Sequence, residues 1–118
     1  MTLNLILPQG NYIKNEEYPL SIDLNKYAYF VGMFNWNFSA VKSRNWYDDE
    51  YDSILFQVTY SRTSDHVLII DLIQLSFSRT RKILKFPSIQ SYVFENGTVH
   101  YAELSEIWGC AIYGMVSR

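Results

Sequence analysis

The chain has 118 residues, of which 48% are hydrophobic and 19% charged, and its formal net charge is -2. This length predicts a single domain over residues 1–118, and the composition excludes an intrinsically disordered chain. The acidic balance disfavours a general nucleic-acid-binding protein, which carries a basic surplus or a dense basic stripe. The single cysteine, Cys110, has no partner for an internal disulfide, so nothing indicates an oxidising compartment.

The N-terminal segment Met1–Leu7 is apolar but short. No basic residue precedes it, and Pro8 and Gly10 end it, so it lacks the features of a secretion signal. No stretch of the chain approaches the roughly 18 uncharged apolar residues of a transmembrane helix. We therefore expect a cytoplasmic protein with no membrane partner.

The first half of the chain is predicted to form strands. Tyr27–Phe34 has a strand-like composition, and the alternation of polar and apolar residues over Asn35–Val41 is compatible with its continuation. Gly32 within this run indicates a bulge or a close approach of the backbone. Ser53–Tyr60 alternates, with an apolar or aromatic residue at every even-numbered position and Leu55 making the second face partly apolar, which predicts a half-buried strand.

The segment His66–Phe77 is compatible with two structures. Its β-branched residues favour a strand. However, Asp71, Gln74 and Ser78 have the spacing of a polar stripe on an otherwise apolar helix. Because its neighbours on both sides are predicted strands, we favour the strand.

The dipeptide Asn96–Gly97 gives the firmest local prediction. It separates two runs rich in aromatic and β-branched residues, as in a hairpin with a type I′ turn. This turn pairs Glu95 with Thr98 and Tyr92 with Tyr101. Trp108–Val116 is then the closing strand.

These elements predict a mainly β fold. Its antiparallel sheet would form a sandwich or half-open barrel with at most one or two short helices. If residues 66–77 were helical, the class would become α+β.

The familiar catalytic motifs are missing from the sequence. It has no phosphate-binding or dinucleotide-binding glycine motif and no cluster of Cys and His for zinc, so we expect no cofactor. One enzymatic alternative is a metal-free nuclease that uses His66 and His100 as acid and base, with Lys82 or Lys85 stabilising the transition state. The acidic run from Asp48 to Asp52 has the oxygen ligands for Mg²⁺ or Ca²⁺ but not the spacing of an EF-hand.

The most informative segment runs from Trp46 to Asp52, where four acids and three large aromatics are interleaved without a basic residue. Aromatic anchors and carboxylates together are typical of a surface that docks a basic protein. The alternative is a solvated loop whose aromatics fold back onto the core. Two further acids, Glu103 and Glu106, would strengthen the docking interpretation if the fold gathered them beside this loop. The candidate partner-binding residues are Trp46, Tyr47, Asp48, Asp49, Glu50, Tyr51, Asp52, Glu103 and Glu106.

The opposite charge is concentrated in residues 78–86, which contain Arg79, Arg81, Lys82 and Lys85. One short basic segment on an acidic protein is weak support for nucleic-acid binding. Such a segment more often marks a solvated turn or protects a strand edge against aggregation. Head-to-tail pairing of the two charged poles in a homo-oligomer is another alternative.

A small, acidic, cysteine-poor, β-rich domain with aromatic and acidic loops resembles bacterial toxin-immunity proteins, in particular the immunity partners of contact-dependent growth inhibition toxins. The residues that carry the likeness are Trp46–Asp52, Glu103, Glu106 and Trp108. The resemblance implies a non-enzymatic inhibitor that binds a cognate toxin domain, often a basic nuclease, and covers its active site. Two alternatives stay open, the histidine nuclease and a self-assembling structural subunit.

Overall fold

The computed structural model describes residues 3–20, 24, 27, 29–41, 45–46, 51–62, 66–78 and 80–115. The strands are β1 (Leu3–Ile13), β2 (Tyr18–Pro19), β3 (Tyr29–Phe34), β4 (Asn37–Val41), β5 (Asn45–Trp46), β6 (Tyr51–Arg62), β7 (Val67–Ser78), β8 (Ile83–Glu95), β9 (Thr98–Glu103) and β10 (Glu106–Met115). Over these residues the chain contains no α-helix.

The strands form two antiparallel sheets packed as a β-sandwich. The smaller sheet has the order β1-β10-β3-β4, and the larger has the order β2-β8-β7-β6-β5, with β9 paired to β8. The mainly β class is therefore confirmed, and the helical alternative for residues 66–77 is wrong because this segment forms β7. Its β-branched residues pair with β6 on one side and β8 on the other.

The hairpin at Asn96–Gly97 has the predicted register. Glu95 lies opposite Thr98, and Tyr92 lies opposite Tyr101, with their ring centroids 5.1 Å apart. Both turn residues have positive φ angles, 51° and 76°, as a type I′ turn requires. The closing strand is also confirmed, as β10.

The continuation of the first predicted strand through Asn35–Val41 is wrong. The chain reverses at Asn35–Trp36, and β4 returns antiparallel to β3 with Phe34 opposite Asn37. Asn35 and Trp36 have φ angles of 50° and 69°, so they form a second two-residue turn of the positive-φ kind. Sequence alone did not reveal it because tryptophan rarely adopts this conformation.

The core lies between the two sheets. The alternation predicted for β6 is confirmed, because Ile54, Phe56 and Val58 are buried while the residues between them are exposed. Gly32 faces the same core, and a β-carbon there would lie 2.4 Å from the Phe34 ring. The glycine thus marks the close approach of an aromatic ring, which is one of its two predicted meanings.

Cys110 is fully buried in this core. Burial raises the pKa of its thiol to about 12, because the surroundings disfavour the thiolate. Burial also raises the pKa of the neighbouring Tyr12. This location agrees with the usual behaviour of a free cysteine, which packs as a small buried hydrophobic residue.

We expect the Cys110 thiol to react with iodoacetamide far more slowly in the folded protein than in denaturant. In addition, the free energy of unfolding should fall as the pH rises from about 9 to about 12, since the unfolded chain loses this proton first. Alkylation rates and denaturant titrations at several pH values test both effects. Cys110→Ala is the control that removes this part of the pH dependence, and rapid labelling of the native protein would contradict the burial.

The part of the chain that the structure describes holds no apolar helix of membrane-spanning length.

Candidate functional site

The predicted docking loop is described only at its two ends. Tyr47, Asp48, Asp49 and Glu50 lie outside the described residues. The backbone of Trp46 belongs to β5 and pairs with Asp52 of β6. Asp52 is fully buried, so this carboxylate does not face solvent as the docking interpretation requires.

Tyr51 contacts the basic segment of the same chain. Arg81 donates a hydrogen bond to its hydroxyl, and the Lys85 ammonium lies 5.0 Å from the centre of its ring. Arg81 also lies 3.4 Å from the Glu17 carboxylate. Tyr51 and Glu17 thus contact part of the basic segment within one molecule.

The fold does not gather the remaining candidate acids beside Asp52. Counted along the register, Glu103 of β9 lies roughly 20 Å from Asp52. Its carboxylate is 2.6 Å from the Lys14 ammonium. Glu106 begins β10 in the other sheet, opposite Ile13. At Asp52, the one acid of the loop that the structure describes, the condition under which these two acids would strengthen the docking interpretation is therefore not met.

Glu106 instead lines a cleft at the end of the sandwich. This cleft lies between the inner face of β6, β7 and β8, the turn after β3 and the start of β10, and its volume is about 390 Å³. Its lining residues are Phe34, Asn35, Asn37, Tyr60, Asp71, Ile73, Ile89, Leu104, Ser105, Glu106, Ile107 and Trp108. Such a volume falls within the range of roughly 300–1,000 Å³ that is usual for ligand pockets.

The charge in the cleft is negative. Asp71 and Glu106 are the two acidic lining residues, and no lining residue is Lys, Arg or His. One oxygen of Asp71, Oδ2, accepts a hydrogen bond of 3.2 Å from the Tyr60 hydroxyl. The other, Oδ1, is buried and has no hydrogen-bond partner among the described residues. A buried carboxylate oxygen without a donor lowers the stability of the folded state.

One tryptophan, Trp108, lines the cleft, and a second, Trp36, is flanked in sequence by two lining residues. Trp108 and Trp36 are 67% and 74% exposed, values that are unusual for such large apolar side chains. Trp36 lies in the β3–β4 turn, between two lining residues, and the Asn35 amide donates a 3.1 Å hydrogen bond to the Gly109 carbonyl. The backbone thus holds both tryptophan-bearing segments together at one end of the molecule.

We expect Trp36→Gly to raise the free energy of unfolding by about 1 kcal/mol, because glycine adopts the positive φ without strain. Trp36→Ala is the matched control, since it removes the ring but keeps the β-carbon and the strain. Denaturant titrations of both variants test this expectation. A destabilised glycine variant would show that the exposed indole contributes to folding.

Sequence reasoning found Glu106 and Trp108 but missed Asp71, Tyr60 and Trp36 as parts of a site. A signal for Asp71 was present, because it occupies a core-facing position in the alternation of β7, between Ile69 and Ile73. Burying an acid at such a position lowers the stability of the fold unless its carboxylate is hydrogen-bonded or paired. Trp36 was assigned to a strand, which concealed its place at a turn.

The two histidines of the enzymatic alternative are not neighbours. His66 precedes β7 and His100 lies in β9, so the register separates them by roughly 14 Å. Both are exposed. Within the described ranges, no three His, Cys, Asp or Glu side chains come together as metal ligands.

No family model, no curated protein and no solved structure matches this chain, so its function has to be inferred from the residues themselves.

Proposed function

We propose that this chain is a non-enzymatic inhibitor that binds a cognate basic protein and covers its active site, as an immunity protein binds a toxin domain. The observation that carries the proposal is the exposed Trp108 on a cleft whose lining includes two acidic residues and no basic one, with the exposed Trp36 in the adjoining β3–β4 turn. We place this function in the cytoplasm, where an immunity partner of a contact-dependent growth inhibition toxin would act.

The physical basis is the combination of contact area and charge. Tryptophan is enriched among the few residues that dominate binding energy in protein interfaces, because a large ring desolvates without much loss of conformational freedom. Carboxylates next to it attract a basic surface and raise the association rate. Toxin domains that cleave nucleic acids carry such basic surfaces, since they bind phosphates.

The predicted acidic loop has a separate role in this proposal. Asp48, Asp49 and Glu50 carry three negative charges in sequence and would contribute long-range attraction. Asp52 is excluded from direct contact by its burial. We therefore assign most of the binding free energy to the cleft and the two tryptophans, and the acceleration of association to the loop.

A tagged pull-down from the lysate of the native source tests the proposal, with salt at about 50 mM and about 500 mM. We expect a basic protein at about one to one, bound more weakly at high salt, and slower association after charge reversal of Asp48, Asp49 and Glu50. Leu55→Ala, on an exposed position of the larger sheet, is the control. Recovery of RNA or of the chain's own copies in place of a protein would contradict the proposal.

A second candidate function is self-assembly. The outer face of the smaller sheet carries an apolar patch, and Glu106, which lies opposite Ile13, stands on the same face at the start of β10. The members of the patch, inferred from the register of β1, β10, β3 and β4, are Leu3, Leu5, Tyr29, Val31, Met33, Phe38, Tyr113 and Met115. Contiguous apolar surface of this kind often marks an interface, and an apolar patch is compatible with a second copy of itself.

Sedimentation velocity over a wide concentration range distinguishes this candidate. A self-assembling subunit forms dimers or larger species that Val31→Lys abolishes. A protein that stays monomeric throughout would exclude it, and the inhibitor proposal does not require any self-association.

A further inference from the structure

We propose that two copies of this chain associate by pairing their β9 strands antiparallel, so that the larger sheets of both copies join into one continuous sheet. The pairing is centred on His100 and covers residues 97–103 of each copy. None of these residues lines the cleft, so the pairing is separate from the inhibitor function. It is also separate from the apolar patch of the smaller sheet, because β9 belongs to the larger sheet.

β9 presents an open row of backbone hydrogen-bonding groups. Among the described residues it pairs with β8 and with no other strand, and all of its residues are exposed. The Leu104 amide donates a hydrogen bond to the Ile89 carbonyl just beyond the strand. Because hydrogen bonding alternates along an antiparallel pair, the even-numbered residues of β9 bond to β8. The amides and carbonyls of Val99, Tyr101 and Glu103 therefore point away from β8, toward the free edge.

The other outer strands carry features that hinder pairing with another chain. β1 contains Pro8 and three register shifts, β2 and β5 have two residues each, and β4 lies against β6 of the other sheet. β9 has six residues, no proline and no register shift against β8. Its one carboxylate, that of Glu103, lies at its last position. β9 is therefore an edge that is open to another strand.

The surroundings of β9 select a second copy as the occupant of this edge. The Lys14 amide donates a 2.9 Å hydrogen bond to the Ser105 carbonyl, so the end of β1 occupies the edge directly beyond β9. A strand that enters along β9 must therefore end in a tight turn before it reaches Ser105. β9 of a second copy meets this condition because, running antiparallel, it ends there at its own two-residue turn, Asn96–Gly97.

The same limit defines the register. Pairing about His100 places Val99 of each copy opposite Tyr101 of the other, and each of these pairs exchanges both of its backbone hydrogen bonds. A β-branched side chain then lies beside an aromatic one on the outer face, which is a favourable combination across strands. Pairing about Tyr101 instead would bring Gly97 of the second copy opposite Ser105, at the position that β1 occupies.

Disulfide trapping tests this register. Opposite residues of a non-hydrogen-bonded antiparallel pair have Cα atoms about 4.5 Å apart, which is within the range of a disulfide. His100 faces its own counterpart in this way, so His100→Cys is expected to form a disulfide-linked dimer in a glutathione redox buffer. Thr98→Cys, on the same face of β9, is the matched control and should stay reduced, because Thr98 faces Ala102 of the other copy. The native Cys110 is buried and does not compete.

Sedimentation velocity of the native chain and of Val99→Pro tests the backbone pairing. We expect a weak, concentration-dependent dimer of the native chain, because the paired edge is smaller than a standard interface. Val99→Pro removes one outward N–H from each copy and should weaken association about 30-fold, the effect of two hydrogen bonds. The Val99 amide does not bond to β8, so the hairpin should be retained, which circular dichroism checks. Val99→Thr keeps the amide and the β-branched shape and should associate normally.

A native chain that stays monomeric at the highest concentration would overturn the β9 dimer. Equal disulfide formation by His100→Cys and Thr98→Cys, or normal association of a folded Val99→Pro, would also overturn it. If Val99→Pro fails to fold, the two cysteine variants decide the outcome. Val31→Lys separates this dimer from assembly through the smaller sheet, because a β9 dimer survives that substitution and a dimer that it abolishes contradicts the pairing proposed here.

Discussion

Trp108→Ala is expected to weaken the complex with the partner protein by about 30-fold or more, the loss that defines an interface hot spot. Trp108 lines the cleft, is 67% exposed and follows directly after Ile107, which is anchored in the core. The ring therefore projects from a rigid position and needs little ordering on binding. Isothermal titration calorimetry of the variant with the captured partner measures the loss.

The matched control for this prediction is Tyr101→Ala. Tyr101 is also an exposed aromatic, 52% accessible, but it lies on the outer face of the hairpin formed by β8 and β9. We expect its removal to change the dissociation constant by less than about threefold, as for an ordinary surface residue. The reverse pattern, with Tyr101→Ala damaging and Trp108→Ala neutral, would move the interface to the larger sheet.

Phe56→Ala is expected to lower the free energy of unfolding by about 3–5 kcal/mol, since it removes a fully buried aromatic side chain and leaves a cavity. Phe56 lies in the middle of β6, and its ring centroid is 5.2 Å from that of Phe34 in the other sheet. It thus joins the two layers of the sandwich. A loss of this size is a large part of the 5–15 kcal/mol stability that is typical of a domain.

Denaturant titration of Phe56→Ala beside Leu55→Ala tests this account of the core. Leu55 is the next residue along the strand, but its side chain points outward and is 51% exposed. We expect Leu55→Ala to change the free energy of unfolding by no more than about 0.5 kcal/mol. Similar losses for the two variants would mean that the alternation of β6 does not separate core from solvent.

The fold was predictable where a local signal had only one structural meaning. The Asn96–Gly97 turn fixed both the existence of its hairpin and the register, because few residues tolerate two successive positive φ angles. The segment that forms β7 was ambiguous for a physical reason. Its outward positions include Leu68, Ile70 and Leu72, so both faces are apolar and the period of two is obscured.

The candidate site was less predictable because it is assembled from both sheets. Asn35, Asp71 and Glu106 are far apart in sequence and line one cleft only when the sandwich closes. The burial of Asp52, in contrast, could have been predicted. Extending the alternation of β6 by two residues places Asp52 on the same face as Ile54 and Phe56, which is the core-facing side.

The central claim is that this protein inhibits its partner by covering it, and a stoichiometric titration tests this claim most directly. The activity of the captured basic protein is measured while the native chain is added in increments. The account predicts a linear fall in activity to zero at one equivalent, and a shallower curve with Trp108→Ala. Full activity of the partner with excess native chain bound to it would contradict the account.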